Sequence, residues 1–293
     1  MAEFVFSAFA DEAGSSLEEQ ICALKENEIS YIEPRNINKK SILDYSEDEL
    51  VEIEKKLSAA GIKVNSLGSP IGKYNITDDF QVHLERFEKA LTACKILKTD
   101  KMRMFSFFVD ADKLDIYRDE VISRLTIMTE RAKECGIQLC HENESLIYGQ
   151  MPKEVADILE SIPDMAGIFD PANYRMNNAD VIEGINATLK NFAYMHIKDA
   201  VYETQTILPA GEGEGKIGEI IDIINESCDK TVYLTLEPHL HLFDAYKDID
   251  DHELKGKHVF KSGREAFDFA VKSLSTLMEK HGYRKDKNGI WKK

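Results

Sequence analysis

The sequence predicts a single α/β domain, a (β/α)8 barrel. Eight short apolar runs alternate with helical patterns along the chain, and no Gly/Ser/Pro-rich linker divides it. No Gly-rich dinucleotide turn follows the first run, which argues against a doubly wound sheet. Residues 1–282 are expected to form the barrel and residues 283–293 a basic, solvated tail.

The expected strands are Phe4–Phe9, Ser30–Pro34, Ile62–Leu67, Lys101–Phe107, Ile137–Glu142, Ala166–Asp170, Phe192–Ile197 and Val232–Glu237. Each is short and rich in aromatic or β-branched residues. Between them, apolar residues recur three to four apart, as on one face of a helix: Leu17, Ile21 and Leu24; Leu50, Ile53 and Leu57; Leu84, Phe87 and Leu91; Val121, Leu125 and Met128. The pattern continues through Val155, Ile158 and Leu159, then Ile217, Ile220 and Ile224, and closes on Phe267, Val271 and Leu274. Only the sixth crossover, around Ala179 to Asn191, is weakly patterned. Ser15 or Ser16 ahead of Glu18 and Glu19 reads as a capping box, and Gly61 and Gly136 stand where helices should stop before the next strand.

The chain has 293 residues, 43% hydrophobic and 31% charged, enough apolar surface for a substantial core. Its 37 basic and 53 acidic side chains give a formal charge of −16, a field that repels a polyanion, so nucleic acid is excluded as an expected partner. Acidic residues interrupt every apolar run before the ~18 residues a membrane span requires, and the opening residues lack the basic region of a signal peptide. A cytoplasmic protein is expected. Five cysteines without a C-x-x-C spacing point to reduced thiols rather than a disulfide frame.

The informative charges lie at the ends of the expected strands. Glu33, Glu142, Asp170, His196 and Glu237 fall at or near five C-terminal strand ends, which in a barrel converge on the mouth where active sites are built. Burying several carboxylates there without compensation costs several kcal/mol each, so a cation or a proton must balance them. Glu142, Asp170, His196 and Glu237 come from consecutive strands and offer three hard oxygens and one imidazole. That set suits one divalent ion, Mn²⁺, Mg²⁺, Co²⁺ or Zn²⁺.

The motifs Phe6-Ser-Ala-Phe-Ala-Asp-Glu12, Cys140-His-Glu-Asn143, Phe169-Asp-Pro-Ala-Asn173, His196-Ile-Lys-Asp199, Gly211-Glu-Gly-Glu-Gly215 and Leu236-Glu-Pro-His-Leu240 follow in order along the chain. In that order and spacing the sequence resembles the xylose-isomerase-like TIM-barrel superfamily, the group that includes D-tagatose 3-epimerase, hydroxypyruvate isomerase and inosose dehydratase. The resemblance places the family's metal ligands on Glu142, Asp170, His196 and Glu237. The endonuclease IV branch carries extra histidines for three zinc ions. Here the corresponding regions read Leu67-Gly-Ser-Pro70, Met104-Phe-Ser-Phe107 and Ala172-Asn173, so that trinuclear set is missing.

What the resemblance implies is an isomerase or epimerase of a sugar, a sugar phosphate or a related polyol ketone. Proton removal would leave a metal-stabilised enediolate, with Glu142 and Glu237 as the acid/base pair. Dehydration of an inosose-like ketone and a non-catalytic sugar-binding barrel are the alternatives. Lys198, Asp199, Arg103, Glu33, Lys73 and His239 are candidates for substrate contact, with internal ion pairing as the competing reading; Arg35 could meet a phosphate. His141 should face away from Glu142, and Glu144 toward the same side as it. His239 and His241 form an H-x-H that could serve a second metal, Gly211–Gly215 reads as a tight loop or lid, and Trp291 is a candidate contact for a homo-oligomer. The expected partner is a small carbohydrate.

Overall fold

The computed structural model describes residues 1–241 and 258–293. Its eight barrel strands are β1 (Glu3–Ala8), β2 (Tyr31–Ile32), β3 (Lys63–Val64), β4 (Lys101–Met104), β5 (Gln138–Glu142), β6 (Ala166–Phe169), β7 (Phe192–Ile197) and β8 (Thr231–Leu236). The ladder runs parallel from β4 through β5, β6, β7 and β8 to β1, and β2 pairs with β3. A few backbone bonds join the two parts: Glu33 N donates to Ala8 O at 3.0 Å on one side, and on the other Leu67 N donates to Lys101 O at 2.9 Å and Arg103 N to Leu67 O at 3.0 Å. The strands thus form the expected ring.

Two strands are much shorter than their apolar runs. Pro34 has no N–H to continue the ladder after Glu33, and Pro70 follows the third run closely. The fourth run also leaves the ladder early. Phe105 N and Phe107 N donate instead to Ile71 O and Gly72 O, at 2.8 and 2.9 Å. This binds the segment after β3 to the segment after β4 and walls one side of the mouth.

The helices are α1 (Leu17–Glu26), α2 (Glu47–Ala59), α3 (Phe80–Ile96), α4 (Leu114–Glu134), α5 (Pro152–Ser161), α6 (Pro171–Met176), α7 (Val181–Thr188), α8 (Ile217–Ser227) and α9 (Gly263–Lys280). Ser16 and Glu19 form the expected capping box on α1, and Ser46 with Glu49 forms another on α2. Gly61 and Gly136 hold left-handed φ of 76° and 71° directly after α2 and α4. The weakly patterned sixth crossover is two short helices, interrupted at Asn177-Asn178 and restarted by the Asp180 cap. Their brevity explains the weak periodicity. Among the described residues no helix is long and apolar enough to cross a membrane.

The C-terminal tail departs from expectation. Arg284–Lys285 and Ile290–Lys292 form a hairpin whose second strand pairs antiparallel with β1, Phe4 opposite Trp291 and Val5 opposite Ile290. Trp291 is buried and stacks on Phe6 at 5.4 Å. Because β2 meets β1 only at Ala8, the N-terminal half of that β1 edge would otherwise stay unpaired. The tail covers it, and Trp291 belongs to the chain's own core rather than to an exposed surface.

Gly72 has φ of 90°, and a Cβ built on it would lie 1.9 Å from the Phe105 carbonyl oxygen. The neighbour is backbone inside the Ile71–Phe107 bonding pattern and cannot rotate away. Gly72→Ala is expected to lower unfolding free energy by roughly 3 kcal/mol, checked by urea denaturation. A loss below ~0.5 kcal/mol, the ordinary range of a surface substitution, would contradict it.

Candidate metal centre

Strand alternation decides which side chains enter the barrel. On β5 Cys140 and Glu142 point inward, while His141 points outward, its Nε2 3.0 Å from Ser106 Oγ. Glu142 ends β5, Asp170 follows β6, His196 lies near the end of β7 and Glu237 follows β8. One ligand atom from each of these four residues lies within 4.8 Å of the others, and all four are buried. His196 Nδ1 is 2.9 Å from Glu142 Oε1 and 3.5 Å from Glu237 Oε2.

Neighbouring side chains fix the acids in place. Asp170 and Asn143 exchange two hydrogen bonds, Asp170 N to Asn143 Oδ1 and Asn143 Nδ2 to Asp170 O, both 2.9 Å. Asp170 Oδ1 caps α6 by accepting from Asn173 N at 3.0 Å. Asn173 Nδ2 donates to Asn143 O at 2.8 Å and approaches Glu142 Oε1 at 3.4 Å. Asp170 Oδ2 and Glu237 Oε2 are buried yet accept no hydrogen bond. Orphaned carboxylate lone pairs beside an imidazole are what a divalent ion would satisfy, so these residues fit one.

Buried cations surround the cluster. Arg103 Nη1 donates to Glu142 Oε2 at 3.1 Å, Arg35 Nη1 donates to Glu237 Oε1 at 2.9 Å, and Lys198 Nζ lies 3.2 Å from Asp170 Oδ2 and 3.6 Å from Glu237 Oε2. Burial alone would raise every carboxyl. For Glu142, the charges of His196 and Arg103 override it and hold the group down at about 2. Glu237 is held well below the usual carboxylate range against burial by Lys198 and His239. Asp170 is pushed up to about 6, because burial and the neighbouring acids outweigh Lys198. Burial would lower His196, but Glu142 and Glu33 raise it to about 10. The negative potential that favours a proton on this ring also favours a divalent cation.

A second group of ligand atoms, from Glu12, Glu237 and His239, also lies within 4.8 Å, and His241 is not part of it. Here the compensating charge is already present. Arg35 lies 3.3 Å from Glu12 Oε1 and 2.9 Å from Glu237 Oε1, while its Nε and Nη2 clamp Asp11 at 3.0 Å each. His239 N donates to Glu12 Oε2 at 2.7 Å. Burial pushes Glu12 up to about 7 despite His239 and Arg35.

The expected substrate contacts divide by position. Lys198 and Arg103 reach the cluster, His239 lies 3.4 Å from Glu237 Oε1, and Glu33 is turned toward His196 Nε2 at 3.4 Å. Lys73 stands at the rim, over the Phe105 ring and 3.0 Å from Glu144, which does lie on that side. Asp199 is not brought to the cluster. Its carboxylate accepts from the amides of Ala200, Gly211, Gly213 and Gly215 at 2.8 to 3.0 Å. A Cβ at Gly213 or Gly215 would sit 2.4 or 2.7 Å from Asp199 Oδ1, which explains the repeated glycines of that tight loop. The loop's glycines are spent on ordering it. Sequence reasoning assigned no role to Asp11, Glu12, Asn143, Asn173 or Tyr194; all but Tyr194 sit inside the motifs quoted above.

No curated protein matches the chain. Among solved structures, the probable 3-DHS dehydratase AsbF from Bacillus anthracis has a TM-score of 0.70 at 14% identity, covering 94% of this chain and 99% of that one. D-psicose 3-epimerase from Clostridium cellulolyticum H10, solved with D-tagatose, gives 0.70 at 12% identity, with 93% and 99% covered. The IolI protein, solved with a zinc atom, gives 0.71 at 16%, with 95% and 99% covered. These likenesses establish the fold. The family model for the xylose isomerase-like TIM barrel matches residues 22–239, a span that holds all four candidate ligands, and the chain belongs to that family.

Proposed function

We propose that the protein is a divalent-metal-dependent isomerase or epimerase acting on a sugar, a sugar phosphate or a related polyol ketone. The observation that carries this reading is the buried convergence of Glu142, Asp170, His196 and Glu237 at the C-terminal strand ends. When bound there, a divalent ion supplies Lewis acidity toward a carbonyl and a neighbouring hydroxyl oxygen. Glu142, at the end of β5, and Glu237, just after β8, serve as the acid/base pair for proton removal and return at the adjacent carbon. Glu237 Oε2 has no hydrogen bond to surrender, and Arg35 anchors the other oxygen, so the group can turn one lone pair to a substrate C–H. Arg103 and Lys198 hold these acids ionised, and Lys198 and Lys73 are suited to contact substrate oxygens.

Lys198 favours a second reading. Its ammonium is a proton donor inside the cluster, so a hydroxyl β to the carbonyl could leave with that proton, giving dehydration of an inosose-like ketone from the same first step. The test is a panel of ketoses, ketose phosphates and inosose-type ketones in deuterated water, with the protein loaded in turn with Mn²⁺, Mg²⁺, Co²⁺ and Zn²⁺. Deuterium at a carbon next to the carbonyl, with an isomer or epimer as product, is the expected result. Conjugated-enone absorbance with loss of water would assign the lyase, and no exchange on any member would overturn both.

A further inference from the structure

We infer that Glu33 is a positioning residue for the metal ligand His196: it accepts a hydrogen bond from Nε2–H, holding the imidazole proton on Nε2 and so leaving the Nδ1 lone pair for the ion. This rests on the metal reading proposed above. Glu33 is fully buried and follows β2, on the far side of the imidazole from the acidic cluster. His196 Nε2 and Glu33 Oε2 are both buried, neither has a hydrogen bond, and they lie 3.4 Å apart. Each is the other's nearby unsatisfied group. A shared Nε2–H···Oε2 bond satisfies both at once.

The other Glu33 oxygen is already directed. Oε1 lies 2.8 Å from the Tyr194 hydroxyl, which is 2.9 Å from Ser66 Oγ. Tyr194 has one proton; given to the carboxylate, it leaves the Ser66 hydroxyl to donate to the phenol oxygen. Ser66, Tyr194 and Glu33 then form a directed chain ending at Nε2, with every member buried. On the other edge of the ring, Nδ1 faces Glu142 and Glu237 at 2.9 and 3.5 Å. A neutral imidazole has one N–H and one lone pair, so fixing the proton on Nε2 fixes Nδ1 as the ligand. Phe9, packed edge-on with its ring centre 5.1 Å from the imidazole centre, limits rotation away from this orientation. An outer carboxylate of this kind typically tunes metal affinity by ~10–100-fold.

The test compares wild type with Glu33→Ala and Glu33→Gln by Co²⁺ titration, read from visible absorption and calorimetry, with circular dichroism as the folding check. Wild type should bind one Co²⁺. Glu33→Ala should bind ~10–100-fold more weakly, and Glu33→Gln should recover much of the loss, because its amide oxygen can still accept from Nε2–H. Equal affinities in wild type and Glu33→Ala would overturn the inference while leaving the metal reading intact; no Co²⁺ on wild type would overturn the metal reading itself. Should Glu33→Ala not fold, ¹⁵N-histidine NMR of the Zn²⁺-loaded wild type decides: Nε2 protonated and Nδ1 ligating is expected, and the reverse assignment overturns it.

Discussion

Glu237→Gln is expected to retain a bound divalent ion and to lose solvent hydrogen exchange at the substrate carbon by ~10²–10⁴-fold. Glutamine keeps the size of the side chain and an oxygen for Arg35 Nη1, now 2.9 Å from Glu237 Oε1, so the local geometry should survive. What disappears is a carboxylate able to accept a proton at the oxygen that has no hydrogen bond. The measurement pairs metal content by mass spectrometry with deuterium uptake by NMR. Exchange at the wild-type rate by the metal-loaded variant would remove Glu237 from the acid/base pair. Loss of metal along with exchange would make it a ligand without a demonstrated proton-transfer role.

Stripping divalent metal should be as severe. Dialysis against a chelator is expected to reduce turnover below detection and to lower the thermal midpoint; adding back Mn²⁺, Mg²⁺, Co²⁺ or Zn²⁺ should restore both. The size of the thermal effect follows from linkage. An ion held at 100 times its Kd stabilises the folded state by ~2.7 kcal/mol, or roughly 5–10 °C at ~2–4 °C per kcal/mol. Asp170→Ala should not recover on metal addition, because it removes one of the four side chains that offer the ion a ligand atom. Unchanged turnover in metal-free protein would defeat the proposed chemistry, whatever the midpoint did.

The alternation of strands and helices was legible because each apolar run and each three-to-four spacing is a local property of the chain. Ser16 with Glu19, and the left-handed Gly61 and Gly136, were legible for the same reason. The lengths of β2 and β3 were not. They depend on which neighbour supplies the next backbone partner, and Ile71 and Gly72 pair with the segment after β4 rather than extending β3. The tail misled because its basic residues dominate its composition. The two apolar residues that matter, Ile290 and Trp291, find their partner at the opposite end of the chain, on β1.

The four candidate ligands could be named from sequence because strand periodicity and parallel strand order together dictate that residues at strand C-termini meet at one mouth. Their charge states could not. Arg35 joins Asp11 and Glu12 to Glu237 across 24, 23 and 202 residues, and Glu33 meets His196 from the far side of the ring. In a buried, weakly screened site each protonation state reflects all the charges the fold gathers there. The sequence by itself therefore determined the barrel and the set of side chains offered at its mouth. Only the tertiary structure decided which of them pair internally, which lone pairs stay open, and that Asp199 organises a loop instead of facing the cluster, because those outcomes depend on partners that sequence distance conceals.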